Sequence, residues 1–357
     1  VSGINYRLLE DKDKESVLSL FKEAFGKSRD SRQWVWEFTE SPEPAIIVVA
    51  EADNKIVGHY AILPRRFKMG NSVLEGGLVV DVMTHPMYGK RGIFVNSGLE
   101  AFKQAEEAGM KMLIGFPNEA AIRGHMKVGW KELGTVTVCA RPIRASSIKS
   151  FLGERLKLPG ISFRLMDVFL EALNRVSIGI HHDGLTSEWI ASKDLADMAT
   201  ELDALRKKSV EIHTICNARD MDWMSWRVSD PLDPTHILLL RKRRTNEPVG
   251  LGLLKVKEKD GMKTGAVMDI WVPEEEGEIA DRLLRELLQK AIAEGCELMI
   301  LFGSPSARRS RLMRRLMILR TPRKLRFIVR AADGKPLPEE ASRLGNWHLE
   351  LIDHDVM

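Results

Sequence analysis

The spacing of apolar and polar positions changes repeatedly along the first 142 residues, and each change predicts an element. Residues 4–9 alternate like an edge strand, and residues 13–25 place Val17, Leu18, Phe21 and Phe25 at helical spacing before Gly26 ends the run. Residues 31–38 read as a second short helix carrying Trp34 and Trp36. Strands at 45–50 and 56–67 flank a polar Glu-Ala-Asp-Asn turn and predict a hairpin, and a further strand spans 73–84. A helix follows with Phe94, Val95, Leu99, Phe102 and Ala105 on one face. Then come a buried strand at 111–115, a helix at 119–127 and a strand at 133–142.

The turn between the strand at 73–84 and the next helix holds most of the chemistry. It contains Tyr88-Gly-Lys-Arg-Gly92-Ile93-Phe94. Gly89 and Gly92 permit backbone angles closed to other residues and let a ligand approach the main chain, so that successive N–H groups converge on a phosphate at a helix N-terminus. Lys90 and Arg91 add positive charge at the same place, which fits a pyrophosphate. Taken alone, such a turn also serves as a plain basic connection with no ligand.

Composition narrows the function classes. A chain of 357 residues holds two domains with proper cores, and 44% hydrophobic with 29% charged residues is ordinary for a folded protein. A net charge of +4 from 54 basic and 50 acidic residues is too balanced to announce a nucleic-acid protein, and no nucleic acid is expected. Cys139, Cys216 and Cys296 are scattered singly, reading as small buried hydrophobes of a reducing compartment, and no metal is expected. No apolar run approaches the length of a membrane span and the opening residues carry no signal-peptide core, so a cytoplasmic protein is expected.

Two landmarks in order then carry a family resemblance. His85-Pro86-x-Tyr88-Gly-Lys-Arg-Gly92-Ile93-Phe94 resembles the acyl-CoA binding signature of the GNAT N-acetyltransferase superfamily, and Asn118-x-x-Ala121 followed by His125-x-Lys127-x-Gly129-Trp130 resembles that family's next landmark. The sequence departs from the pattern where Gly89 replaces an Arg or Gln, Phe94 replaces a small residue and His125 replaces the usual Tyr. The resemblance implies acetyl-CoA as co-substrate. Val82, Met83 and Thr84 would pair with its pantetheine, the main chain of Gly89, Lys90, Arg91, Gly92, Ile93 and Phe94 would hold its pyrophosphate, and Asn118 would reach the pantetheine arm. It also puts His125 in the place of the general acid, with Asp81 or Glu75 as candidate base. His125 reads equally well as a polar residue on a helix face, and Asp81 as a structural hydrogen-bonding group.

The second half repeats the first. Ala105-Glu-Glu-Ala-Gly109 ahead of Phe116 parallels Ala291-Ile-Ala-Glu-Gly295 ahead of Phe302, Asn54-x-x-Val57-Gly58 parallels Asn246-x-x-Val249-Gly250, and Val80-Asp81-Val82 parallels Met268-Asp269-Ile270. Trp36 before Pro42 and Pro44 parallels Trp226 before Pro231 and Pro234. The fold class expected is therefore α/β (α+β): two tandem GNAT-like domains at 1–142 and 181–357, each a mixed, mostly antiparallel sheet flanked by helices, joined by a helical connector at 143–180. In the second copy the turn reads Pro273-Glu-Glu-Glu-Gly277, whose charge would repel a pyrophosphate, so this copy is expected to be degenerate for CoA. The basic run from Arg308 to Arg330 reads as a core-packed helix with a solvated or acid-paired face, with a site for an anionic partner as the second reading, and residues 346–355 alternate like a strand.

Three functions fit this reading. The first is acetyl transfer from acetyl-CoA to a small-molecule amine by direct attack. The second uses longer acyl chains from acyl-CoA or acyl carrier protein, with the 143–180 helices as acyl surface, and the third is a non-catalytic scaffold. A homodimer is compatible with all three.

Overall fold

The computed structural model of the chain describes residues 3–152, 160–178, 184–275, 277–303 and 310–354. In chain order the elements begin β1 (Asn5–Leu8), α1 (Lys14–Phe25), α2 (Ser31–Phe38), β2 (Ile46–Ala52), β3 (Lys55–Met69), β4 (Ser72–Thr84), α3 (Ile93–Glu107), β5 (Met112–Gly115), α4 (Ile122–Lys127) and β6 (Lys131–Pro142). They continue with α5 (Ala145–Leu152), α6 (Gly160–Ile178), β7 (Leu185–Ile190), α7 (Ala199–Glu211), β8 (Ile215–Asn217), α8 (Met221–Val228) and β9 (Thr235–Lys242). The last are β10 (Pro248–Lys259), β11 (Met262–Trp271), α9 (Glu278–Ala293), β12 (Leu298–Gly303), α10 (Ser310–Arg315) and β13 (Leu319–Ala331).

Contacts divide the chain into two units. One holds Val1–Thr135, Ile215–Trp226 and Leu325–Asn346, and the other holds Val136–Thr214, Arg227–Lys324 and Trp347–Met357. This division departs from the linear domains 1–142 and 181–357. Residues 137–142 of β6 pair with β12 inside the second unit, and residues 328–331 of β13 pair with β5 inside the first. Each unit is thus finished by a strand from the other half of the sequence. Alternation shows that a segment is a strand but not which strand it will join.

The first unit's sheet runs β1-β2-β3-β4-β5-β13, antiparallel except for the parallel pair β4 and β5. β3 is long enough to use one edge twice: residues 55–62 pair with β2, and Phe67, Lys68 and Met69 pair with β8. Successive residues of β2 feed opposite faces. Val49 joins Val17, Leu20 and Phe21 of α1, while Val48 joins Ala101 and Phe102 of α3. The α2 helix starts where the Asp30 side chain accepts from the amides of Arg32 and Gln33. On α3 the expected apolar face is turned: Leu99 is half exposed, and Ser97, Gly98, Ala101, Phe102 and Ala105 face inward.

The second unit's sheet runs β6-β12-β11-β10-β9-β7, again with one parallel pair, β11 and β12. Leu283, Leu284, Leu287, Leu288 and Ala291 of α9 are completely buried in its core. The repeated glycine of the two halves has a packing cause: a Cβ on Gly58 would stand 2.4 Å from Ile93, and one on Gly250 2.6 Å from Ile279. Each glycine lets the first turn of a helix rest directly on a strand.

Other expectations in this half resolve as follows. On α6 the inward Asn174 and Ser177 accept hydrogen bonds from buried Arg141, while Leu165, Val168, Phe169 and Val176 are exposed. Leu312 and Leu316 bury in the core, and Arg315 lies 3.8 Å from Asp281 of α9. Arg308 and Arg309 of the basic run, Glu276 of the acidic turn, residues 153–159 and 179–180 of the connector, and Asp355 lie outside the described residues. The C-terminal stretch expected as a strand is instead two short 3-10 turns, Leu344–Asn346 and Leu351–Asp353, flanking buried Trp347, His348, Leu349 and Glu350. Both sides of this stretch are enclosed, so its alternation did not reflect a half-exposed strand.

Candidate functional site

The pairing of β4 with β5 ends at Val79 and Gly115. From Val80 onward, among the described residues, β4 is paired only on its β3 side. A register shift between His59 and Ala61 places an extra β4 residue there, and Asp81 sits in it at φ +46°. The bulge is held from several sides. The Nδ1 of His59 lies 2.7 Å from the Asp81 carbonyl oxygen, to which it donates, and the Asp81 carboxylate is ion-paired with Arg29, which also pairs with Glu37. His59 is completely buried, and desolvation, helped by nearby Arg29, pushes its pKa down to about 3. The other unit repeats the device with different partners: β11 has its own register shift, and the Asp269 carboxylate accepts from the Ile270 amide and the Trp271 indole.

Past the bulge, Val82, Met83 and Thr84 end β4, with Met83 and Thr84 paired to β3 on one side, and the buried Thr84 hydroxyl oxygen has no hydrogen-bond partner among the described residues. His85 and Pro86 make a corner, with His85 Nδ1 accepting from the Met87 amide and Nε2 lying 2.6 Å from Glu23. Lys90 at φ +63° and Gly92 at φ +78° adopt left-handed backbone on either side of Arg91, a conformation glycine takes freely and lysine only at a cost. Gly92, which has no side chain, occupies the N-cap position of α3, so the cap residue itself accepts from none of the helix's first amides. Gly89, Lys90, Arg91 and Gly92 are exposed, and Ile93 is buried. An exposed, positively charged helix start with left-handed turn residues suits an oxyanion.

Phe94 turns away from this corner. Its ring packs edge-on against His125 at 5.0 Å and Tyr60 at 6.1 Å, over Gly124, where a Cβ would come within 2.6 Å of the ring. The bulky residue that departs from the family pattern is therefore accommodated by a glycine on α4. Asn118 accepts from the amides of Ala120 and Ala121 with its side-chain oxygen, starting α4. Only its amide nitrogen remains for a ligand.

The three expected catalytic groups are not brought together. His125 is 4% exposed, enclosed by Phe94, Tyr60 and Trp130, and desolvation lowers its pKa to about 4, so it is neutral near pH 7 and poorly suited to donate a proton. The Asp81 carboxylate is held by Arg29 as part of the bulge. Glu75 pairs with Arg66 at 3.1 Å and lies roughly 20 Å along β4 from Asp81 at the usual strand rise. A cavity of about 160 Å³ lined by Glu43, Arg65, Arg66, Asp220 and Trp223 also sits at that far end, beside residues that pair with Glu75 and Gly76. It is distant from the Thr84 corner. Sequence reasoning offered His59 only as a weaker candidate base and missed Arg29, whose only signal is a charge close to apolar runs.

Comparison with known proteins agrees with the fold. Residues 5–132 match the family model described as an acetyltransferase (GNAT) domain. No curated protein matches the chain by sequence. Among solved structures, a GCN5-related N-acetyltransferase from Anabaena variabilis aligns at 14% identity and TM-score 0.64 over 92% of this chain and 73% of that one. A tandem GNAT protein from the clavulanic acid biosynthesis pathway aligns at 12% identity and TM-score 0.61 over 94% and 100%. Saccharomyces cerevisiae N-myristoyltransferase with bound myristoyl-CoA aligns at 10% and 0.64 over 92% and 79%. Residues 5–132 thus match a GNAT acetyltransferase domain, and the fold of the chain is similar to that of a tandem GNAT protein.

Proposed function

We propose that the protein is an acyl-CoA-dependent N-acyltransferase whose donor binds the first unit, and that it transfers acetyl to a small-molecule amine. One observation carries this reading: β4 and β5 part after Val79 and Gly115 next to a basic helix start with glycine at its N-cap. A pantetheine arm carries amide groups, so it can act as a surrogate strand along Val82, Met83 and Thr84. The diphosphate would then meet the amides of residues 89–94 and the charges of Lys90 and Arg91, with the Asn118 amide nitrogen near the arm. In the reaction the amine nitrogen attacks the thioester carbon, a C–N bond forms, the C–S bond breaks, and the thiolate takes the proton that the amine gives up. The β4 amides beyond the bulge are suited to hold the developing oxyanion without reorganisation.

Thermal unfolding with CoA, acetyl-CoA and a long-chain acyl-CoA tests the proposal, because a ligand that binds only the folded state raises apparent stability. A rise with CoA and acetyl-CoA, lost in Gly92→Val, is the expected result. A rise confined to the long-chain donor replaces acetyl by a longer chain, and no rise with any donor overturns the reading.

A further inference from the structure

In the second unit, three residues from separate elements meet. His213 follows α7, Glu275 lies in the turn between β11 and α9, and His348 lies in the enclosed C-terminal stretch. One ligand atom from each lies within 4.8 Å of the others. His213 and His348 stack with ring centroids 3.5 Å apart and planes at 10°, and both are buried. The two nitrogens of His348 face different carboxylates, Nδ1 at 3.5 Å from Glu275 and Nε2 at 3.3 Å from Glu350.

We propose that His213, Glu275 and His348 bind a divalent transition-metal ion of the zinc type, with Glu350 orienting His348. A neutral imidazole donates from one nitrogen and offers a lone pair from the other. Nε2 of His348 lies toward Glu350 and Nδ1 toward Glu275, so a deprotonated Nδ1 would present its lone pair to the same place as the Glu275 carboxylate. A dication satisfies both and gives the carboxylate–histidine–metal arrangement that fixes a ligand's tautomer and orientation. Two imidazoles and a carboxylate are borderline donors that suit zinc and its neighbours rather than magnesium or calcium.

The ligand atoms must close to roughly 3.3 Å from one another around an ion with arms of about 2.0–2.1 Å, so binding turns one imidazole out of the stack. The location agrees with the sequence repeat. The first unit presents exposed amides and positive charge ahead of α3, whereas the corresponding turn ahead of α9 contributes an inward carboxylate. The linear sequence gives no hint of the cluster, because its members follow no metal-ligand spacing.

The test uses the full chain, stripped with a chelator and dialysed, then titrated with Zn²⁺ and with Co²⁺. The expected result is one equivalent of either ion, a higher melting temperature, and the visible absorption of low-coordinate Co²⁺. Glu275→Gln and His348→Gln should each weaken binding at least tenfold, and Glu350→Gln by roughly 10–100-fold. Circular dichroism reports whether each variant folds, and should His348→Gln fail to fold, the near-isosteric Glu275→Gln carries the comparison. Absence of a stoichiometric ion in the wild-type chain, or wild-type affinity in folded Glu275→Gln, overturns the proposal. Stabilisation by falling pH with no response to Zn²⁺ overturns it too, since His348 would then be an imidazolium bridging the two acids.

Discussion

Trp36 and Trp226 stack with ring centroids 5.1 Å apart and planes at 22°, and each indole N–H donates to the other's carbonyl oxygen, at 3.1 and 2.8 Å. Both lie in the first unit and occupy matching positions of the sequence repeat. Reciprocal contact of this kind is what a self-complementary meeting of equivalent residues produces. Replacing either by Phe removes one donor and leaves a carbonyl without it, which should cost about 1–3 kcal/mol in urea unfolding. The double variant should lose less than the sum of the two singles, because they share one contact. Strict additivity would show that the stack is energetically idle.

Gly124 gives a second check. A methyl group there meets the Phe94 ring at 2.6 Å. Gly124→Ala should destabilise by about 1–3 kcal/mol through overpacking. Phe94→Leu should relieve most of that in the double variant, measured by the same unfolding curves.

The buried histidines set a pH dependence. His125 falls from 6.5 to about 4 and His59 to about 3, both chiefly by desolvation. Below pH 6.5 the unfolded chain takes up protons that the folded one refuses, so stability is full above that pH and drains away as pH falls toward the folded-state values. His125 alone should account for about 1.5 kcal/mol between pH 6.5 and 5. In His125→Phe the unfolding free energy should fall less steeply over this interval. An unchanged slope would mean that the imidazole is accessible and in position to exchange protons after all.

Arg29 faces both Glu37 and Asp81, and all three side chains are nearly enclosed. Arg29→Met leaves two buried carboxylates without their cation and should cost about 3–5 kcal/mol. Adding Glu37→Gln should return part of that. Because Asp81 forms the bulge, Arg29→Met should also weaken acyl-CoA binding, read by calorimetry at a temperature where the variant is folded.

These residues show what the sequence made legible. The helices at α1 and α2 and the hairpin of β2 and β3 appeared from apolar spacing, a glycine stop and a polar turn, all local causes. Asn118 was legible as part of a motif, though its oxygen serves the start of α4. The inward face of α3 was misplaced because Ser97 and Gly98, which pack closely, count for little in a hydrophobic pattern. The bulge depends on Arg29 and His59, whose partners lie far along the chain. His125 looked like an acid by position, but burial, which spacing does not report, decides its protonation.

The exchange of β6 and β13 has a bearing on synthesis. The strand that completes the first unit follows some two hundred residues after β5, which waits with one edge bare while they emerge, on the order of ten to forty seconds at common elongation rates. An open edge of apolar Met-Leu-Ile is an invitation to self-association. Cutting the gene after residue 142 would make that vulnerability permanent, so the amino-terminal half should be obtained in native form only when the missing strand is supplied in trans.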